Sequence, residues 1–364
     1  MYNVGVAKEH NLPQLFDWKL EIKKGVFPST RYQGSKSKIV QWIDFYTKHL
    51  EFDSVLDAFG GTGCVGYMFK QNGKKVFYND LLKSNYQNSL ALIKNPATIL
   101  SQKDIDFVLK KQKNKPYPTF IQDTFSDIYF TDKENEWLDI AVANIHQIDD
   151  IYKQSLSYYA LFQSCIIKRP YNLFHRKNLY IRTSDIKRTF GNKKTWDTSF
   201  EEHFRKFAKE ANYAVFDNGK EQQVFNSNIF DLEITSPDLV YIDPPYISGN
   251  GIGVDYYDFY HFLEGVIDYD QWADLIDTKS KHKKIKTNKN DWCDKSTIHQ
   301  AFDRLFNKFK NSILVISYRD DGIPTIEELI SILKKYKNKI EIKSINYKYV
   351  LSKNSSKEIL IITN

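Results

Sequence analysis

The sequence predicts an α/β fold with an open sheet and a long insertion between two parts of that sheet. Residues 54–58 read as a buried strand that runs into a glycine-rich turn and a helix, and residues 239–242 read as a second buried strand. About 180 positions separate Gly63 from Asp243, far more than one strand–helix–strand repeat requires. An inserted unit must therefore lie between the two strands.

The composition fits one large core with a second unit. The chain has 364 residues, of which 41% are apolar and 15% aromatic, which is ample for a packed interior. Its 52 Lys and Arg residues against 45 Asp and Glu residues give a formal charge of +7. This mild basic excess permits a nucleic-acid partner without requiring one.

Cysteine usage and hydropathy favour the cytoplasm. Cys64, Cys165 and Cys293 are scattered, so the sequence predicts neither a disulfide framework nor a metal site. No stretch approaches about 18 consecutive apolar residues, and the N-terminal residues lack a charged-then-apolar leader. We therefore expect no membrane association and no secretion.

The first strand ends on Asp57 and continues into a loop, Phe59-Gly60-Gly61-Thr62-Gly63, before a helix that ends at Asn72-Gly73. Glycines let the backbone approach a ligand closely, and the helix N-terminus adds free N–H donors. The pattern indicates a ligand-binding loop. The alternative is a tight turn that needs glycine for packing only.

The next strand, residues 75–79, ends at Asp80, 23 positions after Asp57. A carboxylate at about this spacing accepts hydrogen bonds from ribose hydroxyls in nucleotide-binding folds. A dinucleotide is disfavoured because Asp57, in the turn, would repel a pyrophosphate. A cofactor with a ribose and a positively charged amine fits better, and S-adenosylmethionine is such a cofactor.

A third motif lies upstream, in residues 30–39, and precedes an amphipathic run. Gly34 and Ser35 are predicted to open a helix, which places Lys36 in its first turn, where the helix dipole disfavours a cation. An anionic group, such as a cofactor carboxylate, beside Lys36 would explain this placement. A solvated lysine is the alternative.

The second buried strand stops at Asp243-Pro244-Pro245-Tyr246. Prolines cannot continue a hydrogen-bonded ladder, so the chain must turn at the carboxyl edge of the sheet, where ligands bind in open α/β folds. The Asp243 carboxylate and the Pro244 carbonyl are acceptors beside the aromatic ring of Tyr246. Their complement is a flat ring that carries an amino group, although a surface turn with an incidental Asp and Tyr is the alternative.

The order of these motifs resembles the Dam-like, or α-group, DNA adenine methyltransferases, which include restriction–modification enzymes. The motifs are Tyr-x-Gly-x-Lys at 32–36, Asp-x-Phe-x-Gly-x-Gly at 57–63 and Asp-Pro-Pro-Tyr at 243–246. The resemblance covers residues 25–95 and 224–364. It implies a Rossmann-like class I S-adenosylmethionine-dependent methyltransferase core with an inserted, mostly helical target-recognition domain.

The resemblance also implies a division of the chain and an activity. The cofactor-binding part would be residues 1–96, the inserted domain 97–223, and the catalytic part 224–364. The enzyme would be a bacterial, cytoplasmic protein that methylates N6 of a flipped-out adenine in double-stranded DNA, with a possible cognate restriction endonuclease. A methyltransferase that acts on RNA or on N4 of cytosine is the alternative.

The resemblance also implies roles for the individual residues at matching positions. In the catalytic turn, Asp243 and the Pro244 carbonyl would accept the amino hydrogens, and Tyr246 would stack on the flipped base. The catalytic positions are Asp243, Pro244, Pro245 and Tyr246. The cofactor positions are Tyr32, Lys36, Asp57, Phe59, Gly61, Gly63, Asp80 and Asn228.

The sequence departs from the family pattern at one cofactor position. Asn228 stands where an Asp often contacts the cofactor adenine, and its amide can still accept a hydrogen bond. Asp231 is the other candidate for that contact. Further along, residues 313–318 resemble the following core strand, and residues 349–352 and 357–364 resemble a terminal hairpin.

The insertion interleaves cations, amides and aromatic residues in a way that favours DNA recognition. Cations can neutralise phosphates, and Arg or Asn can pair with base edges. The predicted DNA-binding residues are Lys168, Arg169, Asn172, Arg176, Lys177, Asn178 and Arg182. A second basic run at 279–289 is a candidate backbone clamp. For both segments, a solvated surface is the alternative, and no motif fixes the recognition sequence.

Overall fold

The computed structural model describes residues 25–185, 192–234, 236–249, 251, 253–287, 290–347 and 356–363. Within these ranges the strands are β1 Ser54–Asp57, β2 Lys75–Asn79, β3 Gln223–Phe225, β4 Leu239–Ile242, β5 Ile247–Ser248, β6 Ile313–Arg319, β7 Gly322–Ile323, β8 Ile340–Tyr347 and β9 Ser356–Thr363. Seven of them form one sheet in the order β3-β2-β1-β4-β6-β9-β8. Strands β5 and β7 pair separately.

The helices of the described ranges surround this sheet. They are α1 Val40–Thr47, α2 Cys64–Gln71, α3 Lys83–Ser89, α4 Gln102–Leu109, α5 Phe120–Thr124, α6 Asp132–Ile145, α7 Ile151–Ile167, α8 Tyr180–Thr183, α9 Lys193–Asp197, α10 Phe200–Ala214, α11 Tyr256–Ile267, α12 Trp272–Leu275, α13 Ile298–Lys308 and α14 Ile326–Leu333. None of them is both long enough and apolar enough to cross a membrane.

Strand pairing fixes where the sheet can bind a ligand. Strands β3, β2, β1, β4 and β6 are mutually parallel, and Leu56 of β1 lies in register with Phe77 of β2 and Val240 of β4. The chain passes from β1 to β2 on one side, whereas β4 pairs on the other side. The crevice at the carboxyl ends of β1 and β4 is therefore a topological switch point, where open α/β sheets bind ligands.

The structure confirms the predicted α/β fold class and its core strands. The strands predicted at 54–58, 75–79, 239–242 and 313–318 correspond to β1, β2, β4 and β6. A terminal hairpin is also present, because β8 and β9 pair antiparallel and β9 pairs antiparallel with β6. Its second strand matches the prediction, whereas residues 349–352 lie outside the described part of the chain.

Apolar side chains cover both faces of the sheet. Helices α1 and α2 pack on one face with Val55 and Val315, and α13 and α14 pack on the other with Leu56 and Ile316. A third cluster joins helices α4 to α7 and α10, from the segment between β2 and β3, with α11 and α12. The insertion therefore shares its core with the helix that follows the Asp-Pro-Pro-Tyr turn.

Arg169 organises the loop that follows α7. Its buried guanidinium donates hydrogen bonds to the carbonyls of Leu173 at 3.2 Å, Tyr129 at 2.9 Å and Arg176 at 3.1 Å, and it also bonds the Asn178 side chain. A buried cation is tolerated when its donors are satisfied in this way. The loop of residues 170–178 is thus fixed from inside the protein.

Replacing Arg169 by Met should lower the free energy of unfolding by roughly 3 kcal/mol, because several buried carbonyl and amide acceptors lose their donor. Denaturant unfolding followed by circular dichroism measures the change. Arg176→Met is the matched control, since the Arg176 side chain is exposed and only its carbonyl is used. Equal stability of the two variants would contradict the structural role of Arg169.

Candidate active site

The predicted motifs meet in one cavity of about 510 Å³ at the carboxyl ends of β1, β2 and β4. Nine of the twelve residues predicted for cofactor binding and catalysis line it, namely Tyr32, Lys36, Asp57, Phe59, Gly61, Asp80, Asn228, Asp243 and Pro245. Of the other three, Gly63 is the N-cap of α2, and Pro244 and Tyr246 are buried. Strand register brings these distant segments together.

The glycine loop needs glycine for two reasons. A Cβ atom on Gly60 would lie 1.9 Å from the Tyr78 ring, so no side chain fits between the loop and β2. Gly61 and Gly63 have φ angles of +54° and +78°, in the left-handed region that favours glycine. The Tyr78 hydroxyl also donates to the Gly61 carbonyl at 2.7 Å. These contacts hold the loop against the sheet at the cavity.

Asp80 is held with both carboxylate oxygens in defined positions. Oδ2 accepts the Gly61 N–H at 2.8 Å, and Oδ1 accepts the Leu82 N–H at 2.8 Å. Burial raises the pKa of Asp80, and these hydrogen bonds oppose the rise. Each oxygen can accept a further hydrogen bond, as expected for a carboxylate that binds a diol.

The Asp57 side chain connects the end of β1 to the first turn of α2. Its buried Oδ2 accepts the Gly66 N–H at 2.9 Å, which fixes the first turn of α2 against the end of β1. Burial raises the pKa of Asp57 to about 8, and the neighbouring Asp243 and Asp80 carboxylates contribute to the rise. Burial therefore disfavours the ionised form of the Asp57 side chain.

Lys36 lies between two carboxylates. Its Nζ is 3.0 Å from Asp243 Oδ1 and 3.1 Å from Glu358 Oε1, and the lysine is only 4% exposed. Lys36 begins a short 3₁₀ turn capped by the Ser35 hydroxyl, and not an α-helix as the sequence predicted. Because the turn faces β4 and β9, the lysine meets protein carboxylates as well as the cavity.

The environment of Asp243 keeps its carboxylate basic. Its side chain is 17% exposed. Burial raises the pKa of Asp243 to about 6, while Lys36 lowers the value and Glu358 raises it. Near neutral pH the carboxylate is ionised and can accept hydrogen bonds from an amino group.

Three parallel tyrosine rings form one side of the cavity, and we call them the tyrosine stack: Tyr32, Tyr256 and Tyr260. The Tyr32 ring lies 4.3 Å from that of Tyr260 and 5.6 Å from that of Tyr256, with interplanar angles below 10°. Asn85 donates to the Tyr32 hydroxyl at 3.0 Å. Tyr32 and Tyr256 both reach the cavity.

A second aromatic group lines the cavity, and we call it the tryptophan wall: Phe59, Phe230 and Trp292. The Trp292 ring lies edge-on to Phe59 at 4.9 Å and parallel to Phe230 at 5.9 Å. Sequence reasoning found Phe59 but missed Phe230 and Trp292. Both stand in irregular segments where no periodic pattern marks an aromatic residue as part of a site.

The structure places the two candidates, Asn228 and Asp231, differently relative to the cavity. Asn228 lines the cavity, and its Oδ1 accepts the Phe230 N–H at 3.1 Å. Asp231 is exposed and is not among the residues that line the cavity in the described structure. The position beside the tryptophan wall therefore belongs to Asn228.

The Tyr246 ring points into the protein interior. It is 6% exposed, lies 5.0 Å from the Arg319 guanidinium and meets the Tyr318 ring edge-on at 6.4 Å. Among the described residues, the tyrosines that line the cavity are Tyr32, Tyr241, Tyr256 and Tyr257. In this structure Tyr246 anchors the turn that presents Asp243.

The predicted DNA-binding residues divide into two groups. Lys168 donates to the carbonyls of Trp196 and Thr198 and pairs with Glu134 at 2.9 Å, and Arg182 pairs with Glu134 at 2.7 Å. With Arg169 and the buried Asn178, these side chains are packed inside the insertion, which argues against direct DNA contact by them. The second group is the exposed Arg176 and Lys177 and the half-buried Asn172.

An open, mostly parallel sheet whose glycine loop, Asp80 carboxylate and Asp-Pro-Pro-Tyr turn meet in one cavity is consistent with a Rossmann-like methyltransferase fold. The chain belongs to the D12 class of N6 adenine-specific DNA methyltransferases, whose family model matches residues 32–332. The predicted family and its adenine-specific DNA methylation are thereby confirmed.

Curated relatives agree over most of the chain. The type II methyltransferase M2.HphI of Haemophilus parahaemolyticus is 30% identical over 341 residues, which cover 91% of this chain and 95% of that protein. The modification methylase StsI of Streptococcus sanguinis is 28% identical over 353 residues, or 90% of this chain but 50% of StsI. The type II methyltransferase M.NlaIII of Neisseria lactamica is 23% identical over 323 residues, 84% of this chain and 88% of that protein.

If Asp243 is the acceptor of the amino hydrogens that the sequence predicts, the rate of methyl transfer should rise with pH through about 6, because the pKa of Asp243 is raised to about 6 and protonation replaces one acceptor position with an O–H donor. Single-turnover rates on DNA between about pH 5 and pH 8 measure this rise of the rate with pH. DNA binding measured at the same pH values is the control. A rate that stays constant across this interval while binding is unchanged would contradict the assignment.

Proposed function

We propose that the enzyme uses S-adenosylmethionine to methylate N6 of an adenine flipped out of double-stranded DNA. The observation that carries this proposal is the meeting of the Asp80 carboxylate and the Asp243 carboxylate in one cavity of about 510 Å³. Membership of the D12 family identifies DNA as the substrate and N6 of adenine as the methylated atom. The cofactor, the duplex and the roles of single residues are the proposed part.

The cavity fits this cofactor. Asp80 offers fixed acceptors for ribose hydroxyls. Gly60 packs against the Tyr78 ring without a side chain, so the backbone of the glycine loop can face the ligand directly. The tryptophan wall and Asn228 provide flat apolar faces and a polar amide for an adenine ring. A volume of about 510 Å³ lies within the usual range for small-molecule sites.

The bound cofactor would supply an electrophilic methyl group. The protein's part is to orient the nucleophilic nitrogen. Asp243 and the Pro244 carbonyl would accept the two amino hydrogens, so that the nitrogen lone pair is directed toward the methyl donor. Lys36 would hold the Asp243 carboxylate in place through its 3.0 Å ion pair. Rate enhancement would come mainly from positioning and exclusion of water.

The target adenine must leave the duplex, since its amino group cannot be reached inside the base stack. We propose that the flipped base enters beside Tyr256 and Tyr257, which line the cavity at the first turn of α11. Tyr246 would contribute by fixing the catalytic turn, and it could stack on the base only if its ring were uncovered. Asp255 caps this helix and also lines the cavity.

DNA recognition is assigned to the insertion, residues 97–223, and in particular to the loop held by Arg169. That loop presents Arg176 and Lys177 at the surface and Asn172 half-buried, while the Arg169 side chain fixes its backbone. We therefore retain these three residues as DNA contacts. We assign Lys168, Arg169, Asn178 and Arg182 to support of the loop.

We further propose that the enzyme is the modification component of a restriction–modification system with a cognate endonuclease. The support is that StsI, which it resembles, is a modification methylase, and that M2.HphI and M.NlaIII are type II methyltransferases. Expressing the chain in a methylation-deficient host and sequencing the modified adenines tests this proposal. One modified sequence motif is expected, whereas scattered methylation without a motif would contradict it.

Asp243→Asn should lower single-turnover methyl transfer about 100-fold or more, because the amide replaces one acceptor oxygen with a donor that faces the adenine amino group. Radiolabelled methyl transfer to plasmid DNA measures the loss. Cofactor binding should persist, which separates a failure of chemistry from a failure of binding. Unchanged transfer in this variant would overturn the proposed mechanism.

The double substitution Arg176→Ala and Lys177→Ala should weaken DNA binding and reduce the salt dependence of log K by up to about 2, one for each lost phosphate contact. Fluorescence anisotropy at several salt concentrations measures this slope. The paired control is Lys334→Ala with Lys339→Ala, exposed lysines at and beyond the end of α14. An equal slope for both pairs would contradict the assigned DNA surface.

A further inference from the structure

Glu358 occupies an unusual position for a carboxylate. It lies on β9, is fully buried, and is followed by Ile359, Leu360, Ile361 and Ile362 in the same strand. Burying a carboxylate is costly unless it is paired and hydrogen-bonded. An apolar residue at this position would serve packing at least as well.

Glu358 is connected to the Asp-Pro-Pro-Tyr turn through Lys36. Its Oε1 accepts a hydrogen bond from the Ser317 hydroxyl at 2.6 Å and lies 3.1 Å from Lys36 Nζ. Lys36 is in turn 3.0 Å from Asp243 Oδ1. The two carboxylate oxygens therefore contact the same ammonium group and lie at most about 6 Å from each other.

This geometry divides one positive charge between two negative groups. If Lys36 paired with Asp243 alone, its full charge would be directed at the carboxylate that must accept amino hydrogens, which would weaken that acceptor. Glu358, on β9, attracts the ammonium group of Lys36. Ser317, on β6, holds the Glu358 side chain in position. Asp243 is thus oriented by Lys36 without being fully neutralised by it.

We propose that Glu358 is a positioning residue for methyl transfer, which acts through Lys36 to set the orientation and basicity of Asp243. This inference rests on the proposed role of Asp243 as acceptor of the adenine amino hydrogens. The effect of Glu358 on the pKa of Asp243 agrees with it, because the negative charge of Glu358 raises that pKa.

The test compares the pH dependence of single-turnover methyl transfer in the wild type and in Glu358→Gln. Gln keeps the size of the side chain and an acceptor for Ser317, but it removes the charge. We expect the plateau rate to fall between about 10-fold and 100-fold. We also expect the midpoint of the acidic limb to move to lower pH by up to about one unit, because a like charge near Asp243 is lost.

The controls separate positioning from folding. Glu341→Gln, on the exposed part of β8, should leave the rate and the pH profile unchanged. Thermal unfolding reports stability, and KM values for DNA and cofactor should remain within about two-fold because Glu358 acts on a step after binding. A lower melting temperature for Glu358→Gln with an unmoved acidic limb would overturn the proposal in favour of a structural role.

A second variant covers the case in which Glu358→Gln does not fold. Glu358→Asp keeps the charge but shortens the side chain by one methylene, so we expect a reduced rate with the acidic limb at its wild-type position. A wild-type rate in this variant would overturn the proposal. Asp243→Asn distinguishes a failure of the proposed role of Asp243 from a failure of the proposed role of Glu358. If it retains transfer, the role of Asp243 fails. If it abolishes transfer while Glu358→Gln matches the wild type, only the Glu358 inference fails.

Discussion

The buried ammonium of Lys36 is the interaction on which the site depends. It joins an N-terminal turn, the end of β4 and the C-terminal strand β9 through Asp243 and Glu358. A lysine that is 4% exposed would be strongly destabilising without such partners. The burial of Lys36 therefore depends on all three segments. The position of the Asp-Pro-Pro-Tyr turn is consequently supported by the terminal hairpin as well as by its own sequence.

The sheet supplies the second constraint. Because β2, β1 and β4 are parallel and in register, Asp80, the glycine loop and Asp243 emerge at one edge although they are far apart in sequence. Tyr78 leaves no space for a side chain on Gly60, so the loop is pressed against β2 before any ligand arrives. This arrangement preorganises the cavity, and binding requires little ordering of the backbone.

Local patterns were sufficient to predict the core strands, the glycine loop and the turn at Asp243, because each of these features is encoded within about ten residues, and Asp80 followed from its spacing after Asp57. Glu358 and Trp292 could not be found in this way. The role of Glu358 depends on antiparallel pairing of β9 with β6, and that of Trp292 on the path of an irregular segment. Lys168 and Arg169 were predicted to bind DNA because a basic sequence looks the same whether its cations face solvent or interior carbonyls. Only the fold distinguishes the two cases.

Arg169 and the loop that it holds also connect the insertion to the cavity. Arg169 fixes residues 170–178, and within that loop the Phe174 N–H donates to the Phe259 carbonyl of α11 at 2.9 Å. The same helix carries Tyr256 and Tyr257 at its first turn, where they line the cavity. One backbone hydrogen bond therefore connects the loop that we propose as a DNA contact with the helix that carries the two cavity tyrosines, so the two regions share part of their support.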